Sequence, residues 1–406
     1  MELWDIPAID QHAHNLLKPE AIASRPYAAA FTEAHHPDII DNHVCHTLFY
    51  RRSLRDMADL LKCKPQESEI IASRNNLGLE ELTKVCFNAA NLDAILLDDG
   101  FLPQEILPWQ WHQQFVSVRR LLRIEDVAQN LISQVNSFEE FRERFRAEID
   151  PPPPEVVGFK SIAAYRTGLE IKPVELAMVK DKFNQIKQTT GEQDLPTDNT
   201  ITVIATQGSN LKSLETGNEC VSPREQVPRL SDKSLIDFLI IQTLEVAAKH
   251  KIPIQFHTGF GDPDLDLRQA NPLHLRFLLE DNRFRDVPIV LLHTSYPYTR
   301  EAGYLASVYP NVYIGLGLAI PSLSMAGMRN IISQLMELAP VSKLMYSSDA
   351  HLIPDLYYLG AKWGRKVLGE VLDDAVKDAD LTVKEAEEMA VAVLRGNSDR
   401  VYGLNV

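Results

Sequence analysis

Cysteine is scarce and scattered. The four in 406 residues, Cys45, Cys63, Cys86 and Cys220, form no C-x-x-C pair, which excludes zinc-finger and thioredoxin-type motifs and a disulfide scaffold. They read as free thiols of a reducing compartment. No run of about 18 apolar residues occurs, and Met1-Glu2-Leu3-Trp4-Asp5 is not a basic segment leading into an apolar one. Neither a membrane span nor a secretory leader is therefore expected, and the expected location is cytoplasmic. Positive charge is also short, with 41 Lys and Arg against 56 Asp and Glu, a formal net charge of −15. That balance disfavours nucleic acid and anionic membranes as partners and favours a small molecule. A nucleotide fingerprint is missing too, because Gly315-Leu316-Gly317 lacks a third glycine and a following helix start.

What is present is ordinary globular composition, 45% hydrophobic and 24% charged. Short apolar runs dominate the pattern. Ile6 to Ile9 lead as a strand into Asp10-Gln11-His12-Ala13-His14, and strict alternation would put Asp10, His12 and His14 on one face. An isolated H-x-H is also compatible with one histidine buried by chance and the other in a loop. Residues 16–91 show helical spacing and read as a helical insertion, with the clearest helix over residues 47–61. His35, His36, His43 and His46, in or near it, read as surface or capping residues.

Further strands are expected at residues 92–101, 116–124 and 155–162. In the second of these, Arg119 and Arg123 are either a solvated face or anion binders. In the third, Lys160 is a charge that is hard to bury without a purpose. Trp109 and Trp111 lie in a Pro-rich loop, as packing or as pocket wall. A charged helix over residues 138–148 and the Pro151–Pro154 connector precede the third strand. Residues of about 170–230 turn polar and read as an insertion or lid. Ser231 then caps a helix to about Ala248. Four more strands follow, ending near His257, His293, Leu316 and Asp349, each separated by a helical stretch. Eight strands alternating with helices close a (β/α)8 TIM barrel, one domain over residues 1–406, with all strand C-termini on one rim.

The strand-end residues His12, His14, Lys160, His257, His293 and Asp349, in that order, carry a resemblance to the amidohydrolase superfamily. Within it the chain resembles the amidohydrolase-related group that includes the N-terminal domain of fungal and plant proteins joined to a glutamine-synthetase-like domain, the FluG and nodulin type. Matching phrases run from Gly158-Phe159-Lys160-Ser161-Ile162 to Leu169, from Gln255-Phe256-His257-Thr258-Gly259 to Asp262, and from Tyr346 to His351, with Gly396 to Gly403 similar to the family's closing helix. The resemblance implies a metal-dependent hydrolase of an amide-type C–N bond in a small, carboxylate-bearing substrate. A decarboxylase or sugar-acid isomerase of the same superfamily, or a non-catalytic binding module, are the alternatives.

It implies a divalent metal, zinc in the first place, held by His12, His14 and Asp349 with His257. In a one-ion arrangement His293 acts on substrate or water. In a two-ion arrangement a carbamylated Lys160 bridges, and His257 and His293 hold the second ion. Donor chemistry agrees, since borderline-soft ions take imidazole and carboxylate ligands. Asp349 and His293 are the expected catalytic residues, Asp349 as proton shuttle to activated water. Arg166 and His351 are the expected substrate-binding residues. By the same resemblance a homo-oligomer is open.

Overall fold

The computed structural model describes residues 1–191 and 230–405. Eight short strands follow one another around a ring: β1 (Ala8–Ala13), β2 (Leu92–Asp98), β3 (Ser117–Arg123) and β4 (Val156–Ser161), then β5 (Ile254–Phe256), β6 (Ile289–Leu291), β7 (Val312–Gly315) and β8 (Leu344–Met345). Each pairs in parallel with the next in sequence. The ring closes through hydrogen bonds from Gln11 N to Tyr346 O (3.3 Å), Asp349 N to His12 O (3.0 Å) and His14 N to Ala350 O (2.8 Å). This is the (β/α)8 barrel that the strand count predicts. Parallel strands buried on both faces are largely apolar, and so tend to read as short continuous runs rather than alternations.

Ile9, Ala94, Leu96, Leu121, Val290, Leu292 and Met345 fill the barrel interior, joined by Tyr402 and Leu404 from the chain end. The Tyr402 hydroxyl donates to Gln11 Oε1 (2.7 Å) and accepts from Gln255 Nε2 (2.7 Å), so the closing helix Asn397–Tyr402 is tied into the barrel floor. Gln11 Oε1, Gln255 Nε2 and the Tyr402 hydroxyl are thus partnered, whereas Gln11 Nε2 and Gln255 Oε1 are buried without a hydrogen-bond partner.

Residues 16–91 are helical as expected. The helix Leu48–Leu61 is capped by Thr47, whose hydroxyl accepts from Tyr50 N at 3.1 Å. It packs on the helix Asp355–Lys377: Asp56 accepts from Trp363 Nε1 (2.6 Å) and Lys362 Nζ (2.7 Å), and the Arg52 guanidinium lies 3.7 Å from the Trp363 ring centroid. One expected boundary moves. The helix Lys233–His250 is capped by Asp232, which accepts from Leu235 N, and not by Ser231; an ionised carboxylate is the better partner for a helix N-terminus.

The expected polar insertion of about 170–230 lies largely outside the described residues, apart from the helix Leu176–Gly191. Among the described residues Cys45, Cys63 and Cys86 are free thiols, whereas Cys220 lies outside them. No helix among the described residues is long and apolar enough to cross a membrane. Trp111 packs against Phe115 and His112, which resolves its role as packing.

His112 joins the loop after β1 to this packing. It is fully buried, its Nε2 accepts from Leu16 N (3.1 Å), and burial lowers its pKa from 6.5 to about 4. The unfolded chain therefore binds more protons between pH 6.5 and 4, and stability falls as pH drops through that window. Relative to wild type, His112→Gln is expected to lose roughly 2 kcal/mol less between pH 7 and pH 5 in urea unfolding. Identical losses in both proteins would remove His112 as a source of acid sensitivity.

Candidate metal centre

At the C-terminal rim β1 does not alternate strictly. Its register against β2 passes from Asp10↔Ile95 to Ala13↔Leu97, one extra residue on β1. This corrects the expectation that Asp10 shares a face with His12 and His14. The buried Asp10 carboxylate instead accepts from Ser348 N (2.9 Å) and from the Ser348 hydroxyl, tying β1 to the segment that carries Asp349. Burial pushes the Asp10 carboxyl up to about 7.

His12, His14, Lys160, His257, His293 and Asp349 converge at the rim. Asp349 Oδ1 lies 3.0 Å from His12 Nε2 and 3.5 Å from His14 Nε2, and Oδ2 lies 4.0 Å from His293 Nδ1. His14 Nδ1 donates to the Asp98 carbonyl (2.9 Å), which leaves Nε2 as the free lone pair aimed at this centre. Lys160 Nζ is 3.4 Å from His12 Nε2. Burial lowers the Lys160 pKa to about 8, against the opposing pull of Asp98 and Asp349. Burial also lowers His12 to about 4 and His293 to about 3, with Lys160 adding to the effect. These imidazoles are neutral at pH 7, the state in which they can ligate.

The strand-six and strand-five histidines add a sharper constraint. His293 Nε2 and His257 Nδ1 are 2.9 Å apart, while His293 Nδ1 faces the Gly317 carbonyl (3.2 Å) and His257 Nε2 faces the Phe260 carbonyl (3.1 Å). Three contacts need three protons, and two neutral imidazoles supply two. Satisfying both carbonyls leaves two lone pairs facing each other. Asp349 Oδ1 and His12 Nδ1 are buried without a hydrogen-bond partner as well. Donors that lack protons where they meet, and a carboxylate oxygen among imidazole nitrogens, fit a divalent cation. Among the described residues, two groups have ligand atoms close enough to hold one: His12, His293 and Asp349, and His12, His14 and Asp98.

The backbone here is strained. His293, Thr294, Ser295 and Asp349 all have φ between 52° and 62°. Such non-glycine residues cost of order 1–3 kcal/mol each and persist where surrounding bonds over-determine them. Asp349 N donating to His12 O is one such bond.

Two acids that the strand-end pattern does not single out also reach the centre. Asp98, at the end of β2, is buried and bound by Arg123 through Nε (3.0 Å) and Nη2 (2.7 Å). Arg123 is therefore neither a solvated charge nor a free anion binder. Glu33 comes from the helical insertion and lines a cavity with Asp349 and His351. Burial, with Asp262 and Asp349 nearby, pushes it up to about 8. His351 Nδ1 contacts the Asp349 carbonyl at 3.0 Å. Arg166 ends a short helix after β4, and its Nε is buried without a hydrogen-bond partner. Tyr165 beside it lies over His257, ring centroids 4.3 Å apart. His35, expected on the surface, is exposed, yet its Nε2 reaches Asp262 at 3.3 Å.

The amidohydrolase family profile matches residues 221–404. The protein fluG of Emericella nidulans is 31% identical over 432 residues, a match that takes in 98% of this chain and 46% of fluG, so the chain spans about half the length of that curated relative. Among solved structures, a protein named "putative metal-dependent hydrolase" from Lactobacillus casei ATCC 334 superposes with a TM-score of 0.81 at 24% identity, over 100% of this chain and 98% of that one. Uronate isomerase from Thermotoga maritima superposes with a TM-score of 0.62 at 12% identity, over 98% and 95%. Barrel and sequence match agree: residues 221–404 belong to the amidohydrolase family, and the chain is similar to fluG over 98% of its length.

Proposed function

We propose that the chain is a metal-dependent hydrolase cleaving an amide-type C–N bond of a small, carboxylate-bearing molecule. The observation that carries this is the unmet proton count between His257 and His293 beside a buried carboxylate without a hydrogen-bond partner, Asp349 Oδ1. His12, His14 and Asp349 would hold one ion, with His257 completing that site, or with His257 and His293 holding a second. Zinc is the proposed ion, on its preference for imidazole and carboxylate donors. Such an ion supplies Lewis-acid polarisation of a carbonyl and acidifies water.

The chain's own residues do the rest. Asp349, ionised and at the centre, takes the proton of the attacking water as the C–O bond forms. It returns that proton to the leaving nitrogen as the C–N bond breaks. In the one-ion arrangement His293, whose Nδ1 is held by the Gly317 carbonyl, acts on the substrate or the water. Arg166, whose buried Nε has no partner, binds the substrate carboxylate, and His351 walls the cavity beside Asp349. Lys160 would either hold two ions as a carbamate or pair with a substrate carboxylate. Its lowered pKa favours the neutral amine that carbamylation requires.

The test is amine or ammonia release by the metal-loaded protein across a library of carboxylate-bearing amides, run beside matched acids scored for carbon dioxide. Amine release is expected; carbon dioxide release or isomerisation alone overturns the hydrolase reading. Metal per chain, with gentle mass spectrometry of Lys160, decides the arrangement. Two ions and a carbamate are expected for the bridged form, whereas one ion and an unmodified lysine exclude it.

A further inference from the structure

The loops after β5 and β6 are fastened to each other by a side chain that has no place in the reaction just described. Thr258 directly follows His257 and is fully buried. Its hydroxyl donates to the carbonyl of Leu292, the residue before His293, at 2.6 Å. With that proton in use, the Ser295 hydroxyl is the donor in its 2.8 Å contact with Thr258 Oγ1. A threonine kept for packing alone could satisfy its hydroxyl on its own segment. This one reaches 34 positions along the chain, from one histidine-bearing loop to the other.

The segment it grips does not keep its shape unaided. His293, Thr294 and Ser295 are three successive non-glycine residues with φ of 62°, 52° and 53°, and for a β-branched residue such as Thr294 a positive φ is an outlier. Such a run persists only where surrounding bonds over-determine it. The φ of His293 is the rotation between its Cα and the Leu292–His293 peptide plane, and Thr258 holds that plane by the Leu292 oxygen. The β5 side is fitted to the same turn. Gly259 has φ of 74°, and a Cβ there would lie 2.4 Å from the Tyr296 oxygen, while Phe260 N donates to that oxygen at 2.8 Å. With the turn so placed, His293 Nε2 meets His257 Nδ1 at 2.9 Å.

We propose that Thr258 is a positioning residue for the metal centre: by fixing the Leu292–His293 peptide, its hydroxyl holds the His257 and His293 rings together at the rim. This rests on reading the rim as a metal site, and not on which bond is cleaved. Zinc affinity of the full chain is measured by competition with a chelator, well below each protein's unfolding transition. Groups that orient metal-ligating histidines are typically worth 10- to 100-fold in affinity. Thr258→Val is therefore expected to raise Kd by about 10- to 100-fold, with Thr258→Ser close to wild type. Thr258→Ser and Thr258→Ala both lack the methyl group, so the hydroxyl alone separates them, and this pair decides the matter if Thr258→Val does not fold. The serine variant is expected to bind zinc at least about tenfold more tightly than the alanine variant. In the one-ion arrangement the loss falls on that ion through His257; in the two-ion arrangement it falls on the second ion.

Equal Kd for the serine and alanine variants overturns the proposal. Asp355→Ala, whose carboxylate is bound by Arg74 and not by a rim histidine, is the comparator for a fold weakened elsewhere, and its zinc affinity is expected to stay close to wild type. A loss there equal to that of Thr258→Ala overturns the proposal as well, because it assigns the effect to general loosening. Wild type that binds no zinc overturns the metal reading itself, and the role of Thr258 with it.

Discussion

Asp349→Asn is expected to lower kcat by about a thousandfold, within the range that positioned proton-transfer groups contribute, while leaving more than about half of the metal in place. The argument is one of shape against chemistry. Asparagine keeps a carbonyl oxygen where Asp349 Oδ1 meets His12 Nε2 and His14 Nε2, so His12, His14 and the strand-five and strand-six histidines remain able to hold the ion. What it loses is the capacity to take a proton and hand it back. The backbone is also retained, since φ of 55° at position 349 is tolerated by asparagine better than by most residues. Metal analysis and steady-state rates on one protein sample separate the roles. Activity within about tenfold of wild type removes Asp349 from proton transfer. Loss of metal together with activity makes it a ligand first and a base second.

The rim was legible wherever a functional side chain follows directly on an apolar strand. His257 after Ile254–Phe256, His293 after Ile289–Leu291 and Asp349 after Leu344–Met345 stand out because a buried parallel strand is monotonously apolar and its end is where polarity returns. Lys160 stood out for the related reason that an amine within a strand has to be accounted for. Three features did not have such a signal. The extra residue in β1 is invisible to a two-residue period, and it is what turns Asp10 toward Ser348 instead of toward the histidines. Asp98 closes an expected strand, but its neutralisation by Arg123 depends on β2 and β3 pairing in one register, Asp98↔Leu121, with Arg123 two residues on. Glu33 had no signal at all. A lone acid in a helical insertion looks like solvated surface, and only the packing of that insertion against the rim brings it beside Asp349.

A buried charge pair helps to hold that packing, and Asp355→Ala is expected to destabilise the fold by about 3–5 kcal/mol, the usual result of removing one partner of a buried ion pair. Asp355 is fully buried at the start of the helix Asp355–Lys377, four residues beyond His351. Its carboxylate is bound by the Arg74 guanidinium and accepts from the Tyr27 hydroxyl at 2.9 Å. Both partners come from the insertion, and Arg74 itself is only 7% exposed. Alanine would leave a guanidinium charge in the core with no counter-ion, and would free the Tyr27–Phe31 turn that precedes Glu33. Urea midpoints read the loss of stability. The double variant Arg74→Met with Asp355→Leu is expected to recover much of it, because the desolvation cost disappears with both charges. A loss under about 1 kcal/mol in Asp355→Ala would mean that water reaches Arg74. Since neither residue touches the rim histidines, metal content should hold in Asp355→Ala at temperatures well below its transition.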